Sequence, residues 1–366
     1  MGVKAVRVGV IGCGFIAQSG HLPALLKCKN VEMVAVCDKN KELAENVASK
    51  FKIGHYYTDV AEMLQKERLN MVDICTATPS HAPLAIQAME ASCHVLTEKP
   101  IASNVAEADA MIQTAERMKV KLCVIQDMLF SLVVTKMRSI ARQGLLGDIL
   151  RIDIKQLRPK NDPQFLNKHH LMHTRPGGII VGDDLAHPVY LAREFLGDLE
   201  VIAAYTRKVG SVKHVPFDEI QVILKGEKGQ GSIVSSYNFL QGAMIIDIFG
   251  TEMNLHGELG NSILFKYKGP GSSMSARGLE NLNRCLQIFS STIYAGARAI
   301  SGRHGGHRIL IAKFIESILN DTEPPVTAAE GREIVRILER VIGLCEGQYI
   351  ISQDYLADSG KTKLPQ

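Results

Sequence analysis

Hydrophobic and polar positions follow two different regimes along this chain. Up to about residue 126, short apolar runs recur between longer stretches of helical spacing. The runs are Val6–Ile11, Val31–Cys37, Met71–Thr76, Cys93–Thr97 and Lys121–Ile125. Each is short and nearly continuous, which predicts a strand buried on both faces rather than an amphipathic helix. Between the runs the period changes to that of a helix. In Glu42–Phe51, Leu43, Val47 and Phe51 share one face. A short extended segment at His55–Thr58, a helix start at Thr58–Glu62, and helices over Ala82–Ala91 and about Asn104–Lys119 complete the pattern. Strands that alternate with helices predict a doubly wound parallel sheet.

Beyond residue 126 the pattern changes. Val133–Gln143 reads as a helix stopped by Gly144, and Ile149–Leu157 alternates as a strand. A polar loop, Arg158–Pro176, precedes a helix over Ile179–Leu196 that Gly197 closes. Six strand candidates then crowd together: Val201–Lys208, Glu219–Lys225, Gly231–Phe239, Ala243–Gly250, Glu252–Glu258 and Ser262–Tyr267. Gly226-Glu227-Lys228-Gly229 reads as a hairpin turn. One helix beside turn-connected strands predicts an α+β domain with an open, mainly antiparallel sheet. The chain is therefore divided into a parallel-sheet α/β domain, 1–126, and an α+β domain, 127–366. Gly269–Ser275 reads as a loop. Leu286–Ile300 reads as a packed apolar helix, with a lid or membrane-surface helix as the competing reading because Arg298, Arg303 and Arg308 flank it. Arg308–Leu319 and Ala328–Cys345 read as helices.

Composition narrows the classes. Of 366 residues, 46% are hydrophobic and 22% charged, as in a soluble globular protein. A net charge of +4 argues against nucleic acid as a partner. No run is long enough to span a membrane, and the first residues lead into a strand rather than a secretory signal. Eight cysteines, at 13, 28, 37, 75, 93, 123, 285 and 345, show no CxxC spacing. They read as buried hydrophobes in a reducing compartment, so the cytoplasm is the expected location.

The first apolar run leads into Gly12-Cys13-Gly14-Phe15-Ile16-Ala17, and the second stops at Asp38. Strand, glycine turn, helix, strand and acid make up a dinucleotide-binding fingerprint. Gly12 permits the tight turn, Gly14 lets a pyrophosphate approach, Ala17 keeps the helix close to the strand, and Asp38 accepts from a ribose hydroxyl. The acid favours NAD, while Lys39 beside it leaves NADP open. Gly12, Asp38, Thr76 and Lys99 all fall at carboxyl ends of predicted strands, where ligands bind in such sheets. Lys99 precedes Pro100, a place for a cis bond, and either serves the chemistry or pairs with Glu98 at the surface. Asp183 and His187 lie four apart on one helix face. They read either as an orienting acid with a general base or as a helix N-terminal acid with a packed histidine. The loop 158–175 carries Arg158, Lys160, Lys168, His169, His170, His173 and Arg175, which suits a phosphate- or carboxylate-bearing substrate. No carboxylate or cysteine is spaced to complete a zinc site with its histidines, so no metal is assigned.

Val10-Ile11-Gly12-Cys13-Gly14, Ile74-Cys75-Thr76-Ala77 with His81, Glu98-Lys99-Pro100, Gly177-Gly178 and Asp183 with His187 together resemble the Gfo/Idh/MocA family of NAD(P)-dependent oxidoreductases. The segment from Phe314 to Glu333, with Glu323-Pro324-Pro325-Val326-Thr327-Ala328, is similar too. The resemblance implies an N-terminal Rossmann sheet with a C-terminal α+β domain. It also implies hydride transfer between nicotinamide and a secondary hydroxyl of a sugar, inositol or nucleotide sugar. It makes Lys99, Asp183 and His187 the catalytic trio. Gly12, Gly14, Phe15, Ile16, Asp38, Thr76, His81, Glu98 and Lys99 become the cofactor contacts, and Gln126, Arg158, His170 and Tyr190 the substrate contacts. The chain departs from the family at Tyr190, where many members carry an acid or asparagine, and at Gln126–Ser131. An NAD-dependent glycosidase and a non-catalytic NAD-sensing or partner-binding protein are the competing functions. Exposed faces of antiparallel sheets pair readily, so a homodimer or homotetramer is expected.

Overall fold

The five apolar runs of the first 126 residues and the extended segment at His55 pair into one sheet. The computed structural model describes residues 5–161, 184–210, 215–268, 273–300, 305–346 and 348, and divides the chain into two compact units. The first comprises the chain up to Asp127 together with Gly305–Arg336; the second takes Met128–His304 and the residues from Ile337 on. The return of Gly305–Arg336 to the first unit is not part of the division expected at 126/127.

In the first unit, strands β1 (Val6–Ile11), β2 (Val31–Cys37), β3 (His55–Tyr57), β4 (Met71–Ile74), β5 (His94–Thr97) and β6 (Leu122–Val124) stand in the order β3-β2-β1-β4-β5-β6. Every pairing is parallel. The order reverses between β1 and β4, which opens a crevice at the strands' carboxyl ends. Val6, Val8 and Val10 are fully buried, as the uniform apolar run requires. The helix after the glycine turn is irregular: a π-helical turn over Ala17–His21 leads into α1 (Leu22–Leu25). Helices α2 (Lys41–Phe51), α3 (Val60–Lys66), α4 (His81–Glu90) and α5 (Val105–Met118) connect the other strands. Their starts follow from local chemistry. Asn40, Asp59 and Asn104 accept the N–H groups of Leu43, Glu62 and Glu107, which satisfies first-turn donors that the helix itself leaves open.

The second unit begins with α6 (Leu132–Arg142), capped by Ser131, and β7 (Ile149–Pro159). It continues with α7 (Ala186–Leu196), β8 (Leu199–Arg207), β9 (Glu219–Gly226), β10 (Gln230–Phe239), β11 (Ala243–Gly250), β12 (Asn254–Glu258), β13 (Ile263–Tyr267) and α8 (Met274–Ile300). The seven strands run β13-β12-β11-β7-β10-β9-β8. Only β7 and β10 pair in parallel; the other pairings are antiparallel, including the hairpin closed by Gly226 N–H to the Gly229 carbonyl. α7 lies on the face that presents Ile152, Ile154 and Ile233, all fully buried. On the other side, Ile202, Tyr205 and Ile223 are exposed.

α8 corrects the packed-helix reading of residues 286–300. It starts at Met274, and its polar side faces the sheet: Gln287 holds the N–H and carbonyl of Lys266 at 2.9 and 3.0 Å, and Ser291 Oγ donates to the Leu264 carbonyl. Leu279, Leu282, Leu286, Phe289 and Ile293 are exposed on the other side. The strand edge offers peptide groups, so amide and hydroxyl side chains dock there and the apolar stripe points outward. Cys285 shares the exposed surface, unlike the buried cysteines of the first sheet. Among the described residues no helix is long and apolar enough to cross a membrane. After α8 come α9 (Gly306–Asn320), which packs on α1, and α10 (Ala328–Cys345). α10 opens with a reciprocal cap: Thr327 N–H donates to Glu330, and Glu330 N–H donates to Thr327 Oγ1.

Candidate active site

The glycine turn is built for a dinucleotide. Gly12 has φ +93°, and a Cβ there would stand 2.7 Å from the Cys75 carbonyl oxygen. Gly14 has no atom within 4 Å of where its Cβ would be. That open space above a helix N-terminus fits a pyrophosphate. Ala17 is fully buried, while Phe15 is 71% exposed and stands clear of the core. At the end of β2, Asp38 Oδ2 accepts the Cys13 N–H at 2.8 Å and Oδ1 accepts the Asn40 N–H at 2.9 Å. The acid is thus fixed in place beside the turn, with lone pairs left for a ribose hydroxyl.

Thr76 follows β4, and its Oγ1 accepts the Ser80 hydroxyl at 2.8 Å. His81 is not open to a ligand. It is buried, and its two ring nitrogens lie 2.8 Å from the Pro100 carbonyl and 2.9 Å from that of Thr76. It braces the ends of β4 and β5 against each other. Lys99 is half-buried and joined to Pro100 by a cis bond. Glu98 faces inward rather than to the surface. It is buried, its Oε2 accepts the Lys99 backbone N–H at 3.0 Å, and its Oε1 lies 2.8 Å from His21 Nε2.

His21 is the residue that sequence reading missed. It is fully buried in the π-helical turn, with Nδ1 2.8 Å from Asp73 Oδ2. Burial alone would lower its proton affinity, but the Asp73 carboxylate outweighs this and holds it well above 6.5. His307, at the start of α9, adds a second imidazole: Nε2 lies 3.5 Å from Glu98 Oε1 and Nδ1 3.3 Å from Asp127 Oδ2. Burial opposes its protonation as well, and Glu98 and Asp127 raise it above 6.5. Glu98 is in turn held well below 4.5, because hydrogen bonds from His21 and His307 outweigh burial. Ligand atoms of His21, Glu98 and His307, and of His21, Asp73 and Cys75, come within 4.8 Å of one another. Both His21 nitrogens already serve carboxylates, and burial pushes the Cys75 thiol up to about 12, so the cluster reads as an ion-paired network rather than a metal site. The signal for His21 in the sequence was a lone histidine nine residues after Gly12; its partners lie 52 and 77 positions away.

In the second unit, His187 stands on α7, nearly buried, with Nδ1 2.8 Å from the Tyr190 hydroxyl. That hydroxyl also accepts the Met128 N–H at 3.3 Å. If Nδ1 carries the ring proton and donates to Tyr190, the lone pair of the neutral ring lies on Nε2. Tyr190, expected as a substrate contact, is 2% exposed and turns its hydroxyl to His187. Arg158 pairs with buried Asp184 at 3.0 Å, and the Tyr237 hydroxyl donates to the same carboxylate. The guanidinium expected to grip substrate therefore has a structural partner. Gln126, at the end of β6 in the first unit, is buried. Asp183 and His170, with most of the basic loop, lie outside the described residues.

A family model described as "Oxidoreductase family, NAD-binding Rossmann fold" matches residues 6–126, and the GFO/IDH/MocA C-terminal domain model matches residues 134–260. The chain is 31% identical over 234 residues to D-apiose dehydrogenase of Paraburkholderia graminis, covering 63% of this chain and 60% of that protein. It is 25% identical over 277 residues to Oxidoreductase P35 of Formosa agariphila, covering 75% of this chain and 83% of that one. Among solved structures, it is similar to the WlbA dehydrogenase of Bordetella pertussis in complex with NADH and UDP-GlcNAcA (TM-score 0.77, 18% identity, 94% of this chain and 96% of that chain covered). Scyllo-inositol dehydrogenase of Lactobacillus casei with NAD(H) and scyllo-inositol gives a TM-score of 0.74 at 16% identity, covering 93% of this chain and 97% of that one. At these identities the two structures show a shared fold.

Proposed function

This chain belongs to the Gfo/Idh/MocA family of NAD-binding oxidoreductases, and from that membership we propose that it moves hydride between nicotinamide and a secondary hydroxyl of a sugar, inositol or nucleotide sugar. The observation that carries this is the fixed Asp38 carboxylate on the Cys13 amide beside the open space at Gly14. The similarity to D-apiose dehydrogenase supports the substrate class, and structures of the same fold include a scyllo-inositol dehydrogenase and a dehydrogenase in complex with UDP-GlcNAcA.

Gly12, Gly14 and the amides of Phe15 and Ile16 would hold the pyrophosphate, Asp38 the ribose and Thr76 the edge of the crevice. When bound, NAD supplies the hydride acceptor. In oxidation, Nε2 of His187 takes the hydroxyl proton, and the Nδ1 contact with Tyr190 fixes the tautomer that permits this. Lys99 places the hydroxyl and stabilises its developing charge. Asp183 orients the base. The cofactor contacts, Lys99 and Gln126 belong to the first unit, and His187 belongs to the second. We assign the chain to the cytoplasm, supported by eight free cysteines, and to a homodimer or homotetramer, supported by the exposed Ile202, Tyr205 and Ile223 on the sheet. Light scattering of the wild type and of an Ile202→Lys/Ile223→Lys variant tests the assembly; a monomeric wild type would contradict it.

The reaction is tested by following NAD reduction over a panel of aldoses, inositols and nucleotide sugars. At least one should reduce NAD, and Lys99→Met should abolish turnover while cofactor binding persists. Tight NAD binding with no hydride transfer across the panel would sink the assignment.

A further inference from the structure

Five ionisable side chains from five separated positions line up at the carboxyl ends of β4, β5 and β6. Asp73, His21, Glu98, His307 and Asp127 alternate carboxylate and imidazole in space. The two rings meet edge to face, with centroids 5.3 Å apart. Each imidazole has a carboxylate oxygen at both nitrogens. A neutral imidazole has one N–H, so it can donate to only one of them. Both carboxylates of a pair are held only while the ring is protonated.

Glu98 sits in the middle, and its two oxygens have different tasks. Oε1 lies between His21 and His307, while Oε2 accepts the Lys99 N–H. The carboxylate cannot turn towards one task without releasing the other. Three carboxylates thus share two imidazole rings, and Glu98 is the one common to both rings. His21 is sealed, but the His307 side chain is 21% exposed, so solvent protons reach the cluster there. The groups facing His307 are Glu98, Asp127 and His21, with Arg308 next to it on α9. Those facing His21 are Asp73, Glu98, Cys75 and His307.

We propose that His21 and His307 are positioning residues for Lys99, acting through Glu98, and that His307 is the member through which solvent pH reaches the lysine. This rests on the role given to Lys99 above. When His307 loses its proton it keeps either Glu98 or Asp127. Oε1 then has a weaker hold, and the Lys99 backbone loses part of its fixed acceptor.

The test has two arms on the full chain. In the first, imidazole nitrogens are labelled and their charge state is read by NMR, with His21→Gln and His307→Gln for assignment. Both rings should remain doubly protonated above the ordinary histidine range, and Glu98→Gln should return both towards it. The Lys99 amide signal should shift at the pH where His307 titrates. This arm needs no substrate, so its failure is distinguishable from failure of the assigned reaction. In the second arm, a panel substrate is used with NADH affinity measured in parallel. His307→Leu should lower kcat about tenfold with NADH affinity retained. His307→Gln, which donates to Glu98 without titrating, should restore kcat to within about threefold and flatten the alkaline limb of the pH profile. Neutral rings at pH 7, a Lys99 amide indifferent to His307, or His307→Leu with an unchanged pH profile would each overturn the proposal.

Discussion

Asp38 accepts the Cys13 N–H at 2.8 Å, which ties the end of β2 to the turn that follows β1. The carboxylate therefore has one fixed place and one charge there. Asp38→Asn keeps an acceptor for the amide and removes the charge. The preference for NADH over NADPH should fall by about tenfold, read as the ratio of the two dissociation constants from fluorescence titration. An unchanged ratio would show that another group reads the ribose.

Gly12→Ala tests the turn itself. The new methyl meets the Cys75 carbonyl at 2.7 Å in a backbone of φ +93° that side chains disfavour. A stability loss of about 2 kcal/mol or more is expected in urea unfolding, together with weaker NADH binding. Gly14→Ala has open space at its Cβ. It should fold normally and lose affinity alone, which separates the two glycines.

Tyr190→Phe removes the hydroxyl that His187 Nδ1 meets. The histidine then loses the partner that selects its tautomer. A fall in kcat of about tenfold, with cofactor affinity unchanged, is expected. His187→Ala should fall further. If Tyr190→Phe instead raised KM alone, the residue would be a substrate contact after all.

The imidazole–carboxylate network makes stability depend on pH in two directions. His21 and His307 bind protons more tightly folded than unfolded, above 6.5. Their contribution is complete below that value and is lost as pH rises through the raised ones. Glu98 is held below 4.5, so its contribution is present above that value and is lost as pH falls through the lowered one. Urea unfolding should therefore show lower stability on both the strongly acid and the alkaline side of neutrality. His21→Leu leaves buried Asp73 without its imidazole partner and Glu98 with His307 alone, and should cost about 3–5 kcal/mol at neutral pH.

In the second unit, Asp218 is 1% exposed and accepts from Val209 N–H, Gly210 N–H and Asn238 Nδ2 at 2.7, 2.8 and 3.1 Å. Burial pushes its carboxyl up, but these donors and Lys208 hold it below 3.8. Asp218→Ala leaves two backbone donors without an acceptor. A loss of about 2–4 kcal/mol is expected by urea unfolding, with NADH affinity intact.

The first sheet was legible because its strands are apolar runs and its helix starts carry their own caps at Asn40, Asp59 and Asn104. The hairpin at Gly226–Gly229 was legible for the same reason: its signal is local. The Glu98 environment was not. His307 lies more than 200 positions from Glu98, and nothing near either residue announces the other. α8 was misread because an apolar run does not say which side of a helix meets a sheet edge, and here Gln287 and Ser291 take that side. Tyr190 looked like a departure at a substrate position; its burial against His187 is a property of three dimensions only.

The π-helical turn at Ala17–His21 carries one residue more than an α-helical turn would. Each residue advances an α-helix by about 100°, so the extra one turns every later side chain by that amount relative to an uninterrupted helix. Having a histidine at position 21 is therefore not enough; the widened turn has to be inherited with it. A relative with the same letter but a regular helix would point that ring elsewhere. Comparing such chains residue by residue would pair two histidines that do not share a job.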